Sequence, residues 1–126
     1  MKDSMCDCNV IHKDIVEKAL KNRPDEVTLL KLSEVFKLIG DLTRIKILWC
    51  LDNNEMCVCD IANVLNMSKS LVSHQLAVLR KSEIVKSRRS GKEVYYTLDD
   101  EHIRTLYEIG IKHINNNRNT DRQFIP

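Results

Sequence analysis

Apolar residues recur at helical spacing along most of this chain and change to strand-like alternation once, about two thirds of the way along. In residues 10–22, VIHKDIVEKALKN, the residues Ile11, Ile15, Val16, Ala19 and Leu20 fall on one helical stripe. Pro24 interrupts the pattern, because proline does not fit a helix interior. A second amphipathic stretch, Asp25 to Gly40, carries Val27, Leu30, Leu32, Val35, Phe36 and Ile39, with Gly40 placed to cap its C-terminus. Leu42 to Leu51 predicts a short, strongly apolar third helix, and Asn53-Asn54 a turn. The segment CVCDIANVLNMSKSLVSHQLAVLRKSE predicts two helices with a tight turn between them. Ile61, Ala62, Val64 and Leu65 face inward on the first, and Leu71, Val72, Leu76 and Leu79 on the second. Asn66 stands where the turn needs a residue tolerant of left-handed backbone, and Ser68 is placed to N-cap the next helix. Two short helices so joined, the second rich in Ser, His, Gln and Lys, predict a helix-turn-helix.

Alternation follows. Ile84–Arg89 and Glu93–Leu98 flank Ser90-Gly91-Lys92, a hairpin with glycine at its turn, and a basic hairpin after a recognition helix is a wing. Asp99 or Asp100 then caps a final helix that runs through Ile114, with Ile103, Leu106, Tyr107 and Ile109 along it. The expected fold is mainly α with a small β-hairpin wing, a winged helix-turn-helix. Residues 1–9 form a flexible N-terminal arm, residues 10–115 a winged-helix DNA-binding and dimerisation domain, and residues 116–126 a polar tail.

The bulk properties narrow the class. A chain of 126 residues suffices for one domain of modest core. The start, MKDSMCDCN, lacks the apolar region of a signal peptide, and no apolar stretch is long enough to span a membrane. The expected location is therefore cytoplasmic, where thiols stay reduced. There is no Ser-His-Asp pattern and no phosphate-cradling loop, so no enzyme is expected. The net charge of +2 conceals an asymmetry. Between residues 68 and 92, Lys69, Arg80, Lys81, Lys86, Arg88, Arg89 and Lys92 face only Glu83, while the rest of the chain is net acidic. A local basic stretch on an otherwise acidic chain is the electrostatic footprint of a phosphate-backbone partner, and with the helix-turn-helix the expected partner is double-stranded operator DNA. Ser70, Ser73, His74 and Gln75 lie early on the recognition helix, with Lys69 at its start and Arg80 near its end. Gln75 suits bidentate reading of adenine. Ser70, Ser73 and Lys69 suit phosphates, and His74 suits either a base contact or packing within the helix-turn-helix. Arg88, Arg89 and Lys92 place backbone or minor-groove contacts on the wing.

Five cysteines add the candidate chemistry. Cys50, inside IKILWCL, reads as a small buried hydrophobe. Cys6 and Cys8 on the arm, and Cys57 and Cys59 in EMCVCD, form two C-x-C pairs. A cluster of thiolates selects soft ions such as Zn, Cd, Pb or Cu(I). In a regular helix, residues i and i+2 point about 200° apart and cannot grip one ion. Cys57 and Cys59 must therefore sit at an irregular helix start or on extended chain, with free N–H groups nearby that favour negative charge.

The order of elements, with EMCVCD and the arm cysteines, resembles the ArsR/SmtB family of winged-helix metalloregulatory repressors, and within it the CadC branch. The resemblance covers roughly residues 10–115. It implies a homodimer whose metal-free form binds operator DNA. It also implies an intersubunit thiolate site for Cd²⁺, Pb²⁺ or Zn²⁺, with arm ligands from the opposite protomer, and derepression of a metal efflux or resistance gene on metal binding. The family pattern supports Cys57, Cys59 and Cys6 most directly, and Cys8 completes a four-thiolate set. DDEHIRTLYEIGIKH resembles the family's site on the C-terminal helix, formed by Asp100, His102 and His113. The two histidines share a face but stand about 16 Å apart along the axis, so only two antiparallel copies bring them to one ion. Where the family often carries a further carboxylate, this chain has Asn116, a poorer zinc ligand. Three rivals compete: a repressor whose thiols sense oxidants, a metal-buffering protein that does not bind DNA, and a structural zinc site that only stabilises the fold.

Overall fold

The computed structural model describes residues 11–120, with side chains as far as Asn117. The elements in chain order are α1 (Lys13–Lys21), α2 (Glu26–Ile39), α3 (Leu42–Leu51), β1 (Met56–Cys57), α4 (Val58–Leu65), α5 (Lys69–Lys81), β2 (Val85–Ser90), β3 (Glu93–Leu98) and α6 (Glu101–Thr120). The chain divides into two compact units with the boundary between Glu34 and Val35, inside α2.

In the first unit, α1 and the start of α2 form on either side of Pro24, as its geometry requires. Asp25 caps α2, its Oδ1 accepting from Thr28 N at 2.8 Å; the Thr28 side chain, and after it this backbone N–H, holds the Asp25 carboxyl below the usual carboxylate range. The apolar stripe of α1 is exposed, with Ile15 69% accessible.

The second unit holds the core. Ile47, Leu48 and Leu51 from α3, Ile61 from α4, Val72, Leu76 and Leu79 from α5, and Ile84 and Val85 at the start of the wing are all almost fully buried in one cluster. Each such aliphatic side chain contributes about 1.5–3 kcal/mol by leaving water. Cys50 is buried among them at 4% accessible, as expected for a small hydrophobe, and burial pushes its thiol pKa up. Asp41 caps α3 through Arg44 N, and Ser68 caps α5, its Oγ accepting from Leu71 N at 3.1 Å.

The helix-turn-helix turn uses left-handed backbone at Asn66, φ 54° and ψ 49°. Asn66 N bonds to Asn63 O, and Met67 N to Ala62 O. The same pair of bonds ends α5, where Glu83 is left-handed at φ 62°, Glu83 N bonds to Arg80 O and Ile84 N to Leu79 O. Both ends form the closure in which a left-handed residue lets two amides satisfy carbonyls of the last turn.

Strands β2 and β3 pair antiparallel from Val85↔Leu98 to Ser90↔Glu93, so the turn is Gly91-Lys92 alone and Ser90 belongs to the strand. Gly91 takes φ 64°, the positive value a tight hairpin needs at its first turn position. Three further differences from expectation stand out. Met56–Cys57 forms a third strand against β3, giving the order β1-β3-β2. Two residues are too few for alternation to register in the sequence. Gly40 ends α2 without positive φ, its N–H bonding to Phe36 O at 2.9 Å. The last helix passes Ile114 and continues to Thr120, because extending a formed helix needs only one more bond per residue even through Asn115, Asn116 and Asn117. Asp100 caps it by accepting from Ile103 N at 3.1 Å. No helix among the described residues is long and apolar enough to cross a membrane.

The Asn66 conformation yields a stability prediction. Asn66→Gly should leave the urea midpoint nearly unchanged. Asn66→Val, which disfavours the left-handed region, should lower stability by about 1–2 kcal/mol.

Candidate nucleic-acid interface and thiolate site

Helix α5 presents two unlike faces. Val72, Leu76 and Leu79 point into the core, whereas Leu71, expected with them, is 40% exposed; the three buried residues fix the rotation of the helix so that Lys69, Ser70, Ser73, His74 and Arg80 are exposed. Of the two readings of His74, packing within the helix-turn-helix does not fit an exposed side chain. Gln75 differs from its neighbours. It is half-buried, and its Oε1 accepts from Arg44 Nε at 2.8 Å, while Arg44 Nη1 donates to Leu38 O at 3.0 Å. The oxygen that adenine reading requires is thus engaged with α3, and Arg44 ties the recognition helix to the end of α2. Sequence reasoning missed Arg44. Its one signal was that it and Lys46 are the two cations in a mostly apolar helix.

The wing arginines also differ. Arg89 and Lys92 are exposed. Arg88 is held by Glu55, its Nε and Nη2 donating to the two carboxylate oxygens at 2.7 Å each. Its guanidinium also lies 5.1 Å from the centroid of the Tyr95 ring. The hydrogen bond from Arg88 holds the Glu55 carboxyl below the usual range, and the same bond raises the Arg88 pKa. Tyr95 donates from its hydroxyl to Glu93 Oε1 at 2.8 Å, which raises the pKa of the phenol. Glu55 and Tyr95 were not singled out in the sequence, since their roles depend on a strand too short to be read there.

Cys57 and Cys59 bracket the junction of β1 and α4. Cys57 is extended, φ −89° and ψ 173°, and stands at the N-cap of α4, whereas Cys59 lies in its first turn. The extended residue removes the geometric objection that two residues of one helix, i and i+2, diverge. Both are free thiols, Cys57 half-buried and Cys59 exposed, and no side-chain hydrogen bond caps α4. Cys6 and Cys8 lie outside the described residues. Among the described residues of one chain, no three His, Cys, Asp or Glu side chains converge as a metal site. Two thiols therefore stand at this junction without a third candidate ligand beside them among the described residues of one chain.

On the last helix, the Asp100 carboxylate lies 3.6 Å from His102 Nδ1. The backbone N–H of Ile103, and after it His102, holds the Asp100 carboxyl below its usual range. His113 stands far along α6, where Asn117 Nδ2 donates to its Nε2 at 3.2 Å. One helix brings Asp100 to His102 but does not bring His113 to them. His113 instead lines an apolar groove of about 370 Å³ with Phe36, Ile39, Leu106 and Ile114.

The comparisons with known proteins agree with this architecture. Residues 41–87, from the cap of α3 into the wing, match the model of the bacterial regulatory protein arsR family. The chain is 40% identical over 114 residues to a cadmium resistance transcriptional regulatory protein CadC homolog of Staphylococcus aureus, covering 90% of this chain and 93% of that one. It is 35% identical to a transcriptional repressor SmtB homolog of Synechocystis, over 87% of this chain and 83% of the other. In three dimensions it resembles the homodimeric winged helix-turn-helix DNA-binding domain of a possible ArsR-family regulator from Mycobacterium bovis. That match has a TM-score of 0.65 at 23% identity and covers 80% of this chain and 94% of that one. Helix-turn-helix, wing and relatives converge on a non-enzymatic transcriptional repressor, and the chain belongs to the ArsR/SmtB family of bacterial regulatory proteins.

Proposed function

We propose that the protein is a metal-responsive repressor. Its metal-free homodimer binds a twofold-symmetric operator, and a soft divalent ion, Cd²⁺, Pb²⁺ or Zn²⁺, weakens that binding and releases a metal efflux or resistance gene. The observation that carries this reading is the placing of two free thiols, Cys57 and Cys59, at the start of the first helix of the helix-turn-helix. Thiolates at that point are soft ligands beside the unpaired N–H groups of a helix start, where negative charge is favoured. Cys6 and Cys8 of a second subunit would complete the set. The cadmium resistance relative supports the class of ion.

The dimer is argued from apolar surface. Leu106, Ile109, Ile111 and Ile114 are exposed along α6, beside the groove that Phe36 and His113 line. Contiguous apolar surface of this kind marks an interaction site. Two antiparallel α6 helices across a dyad would bring Asp100 and His102 of one subunit near His113 of the other. That arrangement offers oxygen and imidazole ligands suited to zinc. Lys69, Ser70, Ser73, His74, Arg80, Arg89 and Lys92 form the free part of the DNA-facing surface, and Gln75 and Arg88 are the two candidates already engaged within the fold.

Three outcomes are expected. Cadmium added to reduced protein should give an ultraviolet sulfur-to-metal charge-transfer band that saturates near one ion per protomer. Cys57→Ser should remove most of that band while the metal-free protein still binds DNA. Operator release by cadmium from Cys57→Ser protein refutes the role of this thiol. Arg89→Ala should weaken binding to all sequences about equally and flatten the salt dependence, because a phosphate contact positions without specifying. A changed base preference at one operator position would assign Arg89 to base reading. In protein with Cys6, Cys8, Cys57 and Cys59 all changed to serine, calorimetry should still detect zinc, and Asn116→Glu should strengthen it. If neither protein binds zinc, α6 serves dimerisation alone.

A further inference from the structure

Cys57, Tyr95 and Arg88 occupy one rung of the three-stranded sheet. Cys57 of β1 pairs with Tyr95 of β3, and Tyr95 pairs with Arg88 of β2. Residues directly opposite in antiparallel strands project to the same face. The side chains of Cys57 and the wing residue Arg88 therefore share one face of the sheet, one on either side of the Tyr95 ring. Glu55, two residues before Cys57, closes the circuit by gripping Arg88 with both carboxylate oxygens. The pair is accessible, with side chains 35% exposed for Glu55 and 57% for Arg88. An ion pair in such contact with water contributes little to stability and yields to a competing anion. A DNA phosphate is such an anion, and planar guanidinium suits phosphate as well as it suits carboxylate.

Resting on the reading that Cys57 binds metal, we propose that Glu55 is a positioning residue that withholds Arg88 from DNA phosphate and passes the state of Cys57 to the wing. Strand β1 is only Met56–Cys57. A metal on Cys57 fixes this short strand in its extended form, and Glu55 with it, so the grip on Arg88 tightens. Without metal, β1 is held by its few bonds to β3, and Arg88 is free to exchange its carboxylate partner for phosphate. The wing thus loses one phosphate contact when metal binds. This loss comes in addition to any change in the spacing of the recognition helices.

The test uses the full chain, operator DNA, nonspecific DNA and cadmium. In metal-free protein, Glu55→Gln should raise affinity for both DNAs roughly three- to tenfold, because Arg88 no longer gives up a carboxylate to reach phosphate; in cadmium-bound protein the same change should also steepen the slope of log K against log salt by about 0.9, one regained phosphate contact. Arg88→Gln alone should change metal-free affinity less than it does in the Glu55→Gln background, where it should abolish the gain. Glu55→Asp, which keeps the charge, should stay near wild type. The ratio of metal-free to cadmium-bound operator affinity should fall several-fold in Glu55→Gln, with cadmium binding to DNA-free protein unchanged by charge-transfer titration. Unchanged metal-free affinity in Glu55→Gln overturns the hold on Arg88. A gain that survives Arg88→Gln also overturns it, since removal of negative charge alone then explains the effect. If wild type releases DNA on cadmium and Glu55→Gln does so by the same ratio, the link to Cys57 is wrong. Wild-type protein that ignores cadmium overturns the metal reading itself, and the metal-free arms then still decide whether Glu55 holds Arg88.

Discussion

The burial of Ile47, Leu48 and Leu51 against Val72, Leu76 and Leu79 governs the second unit of the molecule. Helix α3 is the hub of that cluster, which also takes Ile61 from α4 and Ile84 and Val85 from the wing. An amphipathic helix has one rotation at which its apolar stripe is covered. By fixing that rotation for α5, the core decides which polar residues meet solvent. Lys69, Ser70, Ser73 and His74 are outward because Val72, Leu76 and Leu79 are inward. The recognition surface is thus a by-product of hydrophobic packing, and its register cannot shift without exposing leucine.

Polar contacts refine what packing sets. Arg44 reaches from α3 to Gln75 and to Leu38 O, so one guanidinium joins three helices. Arg104 of α6 lies 3.8 Å from Asp52, just past the end of α3. A hydrogen bond to Asp52 raises the pKa of Glu108 on α6, which places two carboxyls together at that contact. On the wing, β2 is an edge strand and carries Lys86, Arg88 and Arg89. Charged side chains keep such an edge from pairing with another chain, and the same charges suit it to DNA.

Long, periodic elements were legible in the sequence, and short or paired features were not. The limits of α3, the N-cap at Ser68, the turn at Asn66 and the wing all follow from local rules about caps, left-handed residues and alternation. Strand β1 did not follow, because two residues carry no period and its existence depends on β3, far along the chain. The engagement of Gln75 and Arg88 was invisible for a similar reason. Their partners, Arg44 and Glu55, lie 31 and 33 residues away. Residue type announced what these side chains could bind, and only the fold shows what they already touch. The reach of α6 to Thr120 was hidden by its asparagines, whose weak helix propensity is outweighed once a long helix precedes them.

The shortness of β1 has a consequence for local stability. A strand of two residues at a sheet edge, with neither residue fully buried, gives up little free energy when it detaches. Helices α3, α4 and α5, by contrast, share one buried cluster. The segment from Glu55 to Cys57 therefore belongs to the least protected class of the protein's backbone, the class that opens locally while the fold stays intact. Cys57 stands in this short edge strand, and Cys59 at the start of a helix whose Ile61 and Ala62 are anchored in the core.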